Sequence, residues 1–275
     1  MTMSPSHETR VTGLSTPKIL NATIAHIARR AQPAQRRLLD IGAGHGDLIR
    51  LLRAQFPFEI AACDYTPELM RLPDQPVDIV DLNTQPLPYP AAAFDIVCLT
   101  EVIEHVEQYR QLLREVYRVL RPGGLVVIST PNILNLRSRL RFLTFGFWVL
   151  FGPLHVKDSR RYSTGGHINP VSYFYLAHAL LDAGFAELQW SVDKFQRSAL
   201  MPFAVLYLPI RLAAWWQLYR EKHRHLTISP ENLPFVEAMN APQMLLGRTV
   251  IVSAVKEADQ KMVPGEGIEP PTKGL

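Results

Sequence analysis

The chain has 275 residues, 47% of them hydrophobic and 20% charged, with a formal net charge of +4. That composition supports a buried core and excludes wholesale disorder, and so mild a basic excess over such a length is no footprint of nucleic-acid binding, so no nucleic-acid partner is expected. Two cysteines, Cys63 and Cys98, exclude a disulfide framework or a Cys-rich zinc site, and both lie in apolar runs as reduced thiols.

Residues 1–16 are polar and aperiodic and read as a flexible N-terminus, with no stretch apolar enough for a secretory leader. No charge-free apolar window reaches the roughly 18–20 residues of a spanning helix, so a cytoplasmic protein is expected. Ser15-Thr16-Pro17 offers a helix start, with Ile19, Leu20, Ile24 and Ile27 on one face. Short apolar runs then alternate with helical patterns. The predicted strands are Leu38–Ile41, Glu59–Cys63, Val77–Val80, Phe94–Leu99 and Leu125–Ser129. Before the last of these, Leu112, Leu113, Val116, Val119 and Leu120 recur at helical spacing until Arg121-Pro122-Gly123-Gly124 stops the helix. A helix over 171–183, a strand over 186–192 and a last strand over 249–254 complete the pattern. Such units predict an α/β, doubly wound sheet with helices on both faces. Two segments, 132–170 and 197–246, interrupt the rhythm as insertions, and 257–275 reads as a disordered tail.

Leu38-Leu39-Asp40-Ile41-Gly42-Ala43-Gly44-His45-Gly46-Asp47 is a buried strand ending in glycines that open a helix, a turn that lets a ligand lie against bare main chain. Asp64 ends the second strand, 22 residues after Gly42, where a carboxylate can accept from both hydroxyls of a ribose. Asp81-Leu82, a polar group beside an apolar one, ends the third and suits an adenine. A dinucleotide fingerprint needs a third glycine where this chain has Asp47, and a carboxylate at that helix start repels a pyrophosphate. The expected ligand is therefore a nucleoside without phosphates, which disfavours a nicotinamide oxidoreductase.

With Ala62-Cys63-Asp64-Tyr65, Phe94-Asp95-Ile96-Val97-Cys98-Leu99-Thr100-Glu101-Val102-Ile103-Glu104-His105, Arg121-Pro122-Gly123-Gly124 and Ser129-Thr130-Pro131-Asn132 in order, the stretch 37–131 resembles the class I S-adenosylmethionine-dependent methyltransferases. It is most similar to the small-molecule branch that includes the ubiquinone-biosynthesis O-methyltransferases. The resemblance implies a Rossmann-like seven-stranded sheet with an antiparallel last strand, a methyltransferase domain over 17–256, and S-adenosyl-L-methionine over the carboxyl ends of the strands. It implies that Gly42, Gly44 and Gly46, with Ala43, line the methionine part, that Asp64 beside Tyr65 holds the ribose, and that Asp81 and Leu82 meet the adenine. Thr100 or Glu101 would lie beside the sulfonium, and Asp40 would brace the glycine turn. The implied reaction is methyl transfer to a small-molecule or lipid-like acceptor at oxygen. A non-catalytic cofactor binder of the same fold is the alternative.

The sulfonium is already activated, so the protein has only to align a nucleophile, exclude water and take a proton. Glu101-x-x-Glu104-His105 admits a divalent-metal site or an acid/base pair, and a plainer reading in which Glu104 caps a helix and His105 packs beside the cofactor. No metal ligands are assigned. Glu104, His105 and His167 are the catalytic candidates. Asn169 is the expected N-cap of the following helix, and His155 accompanies His167 in the first insertion.

Both insertions leave the ligand end of the sheet and are expected to form a lid. Residues 142–154 and 199–210 are charge-free apolar runs edged by arginines, lysines and, toward 219, tryptophans. Such runs, too short to span, resemble interfacial anchors, and they equally suit a lid core with arginines around it. The expectation is contact with a membrane surface through 142–154 and 199–219, peripheral at the inner face, and a hydrophobic or lipid-linked acceptor.

Overall fold

The structure is a computed structural model that describes residues 15–153 and 166–257. His155, Lys157, Arg160 and Arg161, residues 1–14 of the expected N-terminal tail and 258–275 of the C-terminal one lie outside the described residues.

The apolar runs form seven strands: β1 (Arg37–Ile41), β2 (Glu59–Asp64), β3 (Asp78–Ile79), β4 (Phe94–Thr100), β5 (Leu120–Pro131), β6 (Phe185–Val192) and β7 (Thr249–Lys256). They make one sheet in the order β3-β2-β1-β4-β5-β7-β6. β1 to β5 pair in parallel, and β7 runs antiparallel to both β5 and β6. Neighbouring strand residues point to opposite faces. Leu38, Ile96, Cys98 and Val127 meet Leu20, Ile24 and Ile27 of α1 (Pro17–Arg30) and Leu48 and Leu52 of α2 (Asp47–Arg53). Leu39, Val97, Leu99 and Val126 meet α3 (Tyr109–Val119) and α5 (Tyr173–Asp182) on the other face. Both cysteines are buried free thiols within this core.

Several boundaries differ from the sequence expectation. β3 shrinks to two residues. β5 starts at Leu120, because Phe94 pairs with Leu120 before the register shifts, so the Arg-Pro-Gly-Gly segment lies within the strand. The N-cap position of α5 falls on Ser172, whose side chain makes no capping hydrogen bond; Asn169 instead donates its Nδ2 to the Val106 carbonyl.

The first insertion carries α4 (Leu136–Phe145), capped by Asn135, whose side chain accepts from the Ser138 N–H. The second carries α6 (Leu200–Arg220), a π-helical extension (Glu221–His225), α7 (Leu233–Ala238) and α8 (Pro242–Leu246). The charge-free run of the sequence stops at Arg211, but the helix runs on to Arg220, 21 residues in all. The expectation of a segment too short to cross a bilayer is therefore corrected: Arg197–His225 is long and apolar enough to do so by length and composition.

Candidate active site

β1 is the point from which the chain builds outward in both directions, through β2 to β3 and through β4 to β5, and a crevice opens beyond the carboxyl ends of strands at such a point. The cleft there has an empty volume of about 1200 Å³, its open mouth included. Its wall includes Asp40, Gly42, Ala43, Gly44, Asp64 and Tyr65 from the first two strand ends, and Asp81 and Leu82 from the third. Thr100, Glu101, His105 and His167 line it as well.

Gly42 turns the chain with φ +69°, and its N–H donates to the Cys63 carbonyl at 2.8 Å. A Cβ there would come within 2.5 Å of Val102 Cγ2, so only glycine fits between β1 and the loop after β4. Asp64 closes the turn: Oδ2 accepts from Gly44 N–H at 2.8 Å and Oδ1 from Tyr65 N–H at 2.7 Å. The brace expected of Asp40 thus belongs to Asp64. Asp40 is fully buried at the cleft floor, and desolvation together with the nearby Asp64 charge pushes its pKa up to about 8. Desolvation raises Asp64 as well, against the pull of its backbone donors. Asp81 folds its own loop, accepting from Asn83 N–H and Thr84 Oγ1.

Two expected residues stand outside the cleft wall. Gly46 begins α2 with φ +77°, packed against Met70 and Leu72 on the far side of the turn. Glu104 lies behind the wall in a 3₁₀ turn (Ile103–His105), fully buried, its Oε2 accepting from Thr130 Oγ1 at 3.1 Å. It therefore does not cap a helix. Its backbone carbonyl accepts from both Ile168 and Asn169 N–H, which anchors the segment that carries His167. Burial, then repulsion from Glu101, pushes the Glu104 carboxyl well above the usual carboxylate range.

Glu101 adopts a left-handed backbone, φ +57°, with its N–H donating to Ser129. Left-handed non-glycine residues collect at functional sites. The His105 and His167 rings meet edge to face, centroids 4.8 Å apart. His105 Nδ1 lies 3.0 Å from the Gly166 carbonyl, which can only accept, so Nδ1 carries the proton and Nε2 keeps its lone pair. Desolvation lowers both histidines, His167 to about 4. Thr100 Oγ1, Glu101 Oε1, Glu104 Oε1 and His167 Nδ1 are buried polar atoms without a partner among the described residues. One ligand atom each of Glu104, His105 and His167 lie within 4.8 Å of one another, a grouping that could hold a metal ion.

His45, Leu69, Asn83 and Val102 also line the cleft and were missed from sequence. His45, Asn83 and Val102 each adjoin a residue that was found; Leu69 has no such signal. Asp47 lines it too, at the N-terminus of α2, where a ligand phosphate would meet a carboxylate.

A family model described as a methyltransferase domain matches residues 17–189. The chain is 31% identical over 109 residues to a demethylmenaquinone methyltransferase of Thermus thermophilus, covering 36% of this chain and 50% of that protein, so it spans half of that relative's length. It is 25% identical over 175 residues to a ubiquinone/menaquinone biosynthesis C-methyltransferase of Desulfotalea psychrophila, covering 60% and 71%. Among solved structures, a SAM-dependent methyltransferase from Archaeoglobus fulgidus shares the fold at a TM-score of 0.53 and 19% identity, covering 86% of this chain and 94% of that one. The chain belongs to the S-adenosylmethionine-dependent methyltransferase family.

Proposed function

We propose that the cleft binds S-adenosylmethionine and transfers its methyl group to a hydroxylated, lipid-like ring compound. The observation that carries this reading is the closure of the glycine turn by Asp64 beside a second, buried acid, Asp40, in a cleft whose wall at the start of α2 carries the carboxylate of Asp47. In this reading Asp64 accepts from the ribose hydroxyls with its remaining lone pairs, Asp81 and Leu82 flank the adenine, and Asp40 meets the positive end of the methionine part.

His105 and His167 stand on the acceptor side. A neutral imidazole there takes the proton of a ring hydroxyl, and the charge spreads over that oxygen and the adjacent ring carbons. We read carbon as the methylated atom, on the strength of the Desulfotalea relative's name; oxygen was the sequence expectation. The new C–CH₃ bond forms as the methyl–sulfur bond breaks and sulfur keeps the pair; the ring C–H proton then passes to solvent water as aromaticity is restored, and the imidazolium returns its proton to the ring oxygen. A second reading, favoured by the three grouped donor atoms of Glu104, His105 and His167, places a divalent cation there to hold the hydroxyl oxygen.

The test is calorimetric titration with S-adenosylhomocysteine, followed by tritiated-methyl transfer into an extract of lipids and small molecules. Binding and a labelled ring-methyl product support the proposal; a methoxy product moves the acceptor to oxygen, and no binding refutes it. Loss of transfer on chelation, restored by an added divalent cation, selects the second reading.

A further inference from the structure

No residue of α6 is buried, although most of it is apolar. Met201, Val205, Leu208, Leu212, Trp215 and Tyr219 recur at helical spacing along one exposed stripe, with exposures from 51% to 82%. The helix touches the body at the Arg197–Ala199 turn and at α8, and α4 meets the same turn. α4 adds Leu143, 80% exposed, with Phe142 and Phe145. An apolar stripe of this size marks an interaction surface.

We propose that α6 and the end of α4 lie in the surface of an anionic lipid bilayer and pass a lipid-dissolved acceptor to the cleft; only the acceptor's identity as a substrate rests on the function proposed above. Charge selects this occupant. Arg197, Arg211, Arg220, Lys222 and Arg224 accompany the stripe, α4 carries no acid, and the one acid in 197–225 is Glu221. The carboxylate of Glu221 accepts from Gln217 and Thr227 rather than facing a partner. Tryptophan and tyrosine with cations at the end of an apolar helix match the headgroup boundary of anionic lipid. The helix lies along the bilayer: crossing it would carry Arg211, in mid-helix, to its centre and break both contacts with the body.

Two ring pairs lie between this surface and the cleft. Trp148 stacks on Phe142 at 4.5 Å and is held there by Arg141, whose Nη1 donates to the Trp148 carbonyl. Phe151, three residues on, packs against His167 at 5.3 Å, and His167 lines the cleft. An apolar ring leaving the bilayer beside Phe142 would meet the Phe142–Trp148 pair first and the Phe151–His167 pair at the cleft.

The test is co-sedimentation of the full chain with phosphatidylcholine vesicles, with and without phosphatidylserine, alongside calorimetry with S-adenosylhomocysteine. Sedimentation with the anionic vesicles is expected, weakened about fivefold by Arg211→Gln or Lys222→Gln and at least about tenfold by paired Trp215→Ser and Trp216→Ser, with homocysteine-product binding unchanged in each variant. No sedimentation with anionic vesicles, or none lost in the tryptophan pair, overturns the proposal. So does a dimer in solution that the same pair dissolves, since a second copy would then cover the stripe. Vesicle binding that persists in a protein that binds no S-adenosylhomocysteine supports the docking surface and refutes the methyl-transfer reading.

Discussion

Gly44 donates its backbone N–H to Asp64 across two strand ends, at 2.8 Å, so the carboxylate placed for a ribose also holds the shape of the glycine turn. Asp64→Ala should then do two things. It removes a charge-assisted partner from the cofactor, about 2 kcal/mol or about thirtyfold in affinity. It also leaves the Gly44 and Tyr65 N–H groups unmatched, lowering stability by about 1–3 kcal/mol. Asp64→Asn keeps a carbonyl oxygen for one of them and should lose less stability than affinity. Titration calorimetry and urea unfolding of the two variants separate these effects.

Asp40 supplies a pH dependence of definite sign. Its folded pKa, about 8, lies above that of an unfolded aspartate, so the folded state binds the extra proton. Its contribution is therefore lost as pH rises from about 4 to about 8, and apo-protein stability should decline over that window. Asp40→Asn, which cannot ionise, should flatten the decline. A cation bound beside Asp40 reverses the preference and releases the proton, so the heat of S-adenosylmethionine binding at pH 7 should vary with the ionisation enthalpy of the buffer. The Asn variant should show less of that variation.

His26 acts with the opposite sign. It is buried between α1 and the sheet, with Nδ1 2.8 Å from Ser253 Oγ and Nε2 2.8 Å from Ser191 Oγ. Desolvation, then Arg29 and Arg30, lowers its pKa to about 4. The unfolded state takes up the proton first, so stability is lost as pH falls from about 6.5 to about 4. His26→Gln should cost about 1–2 kcal/mol at pH 7 through the weaker serine contacts, and lose less than the parent between pH 6.5 and 5. Urea midpoints at the two pH values decide it.

What the sequence made legible is what local rules control. The core strands announced themselves as apolar runs, and Asp40 and Asp64 close two of them while Asp81 follows a third, because the crevice lies at strand ends. Arg211 hid the length of α6, since a charge-free count ends at a cation that a solvent-facing helix accepts. The hydrogen bond of Gly44 to Asp64 joins residues 20 apart, and that of Glu104 to Thr130 joins residues 26 apart. No spacing rule gives either, because both depend on which strands become neighbours. The same holds for Asn169, whose side chain donates to Val106 and whose N–H donates to Glu104, while the N-cap position falls on Ser172.

Glu104 offers the sharpest separation of structure from chemistry. Its carboxyl is fully buried, is pushed well above the usual carboxylate range by that burial, and meets Thr130, while its backbone carries the His167 segment. Glu104→Gln preserves volume and hydrogen-bonding capacity, so the fold should survive with stability changed by less than about 1.5 kcal/mol. Glu104→Ala should lose about 2–4 kcal/mol by opening a cavity and leaving Thr130 without its acceptor. If the acid serves only to support the histidines, the Gln variant keeps methyl transfer within a few-fold at every pH. If it ligates a cation, that variant loses transfer and bound metal together while S-adenosylhomocysteine still binds. Metal content, transfer rate and cofactor affinity measured on the one variant distinguish the two roles.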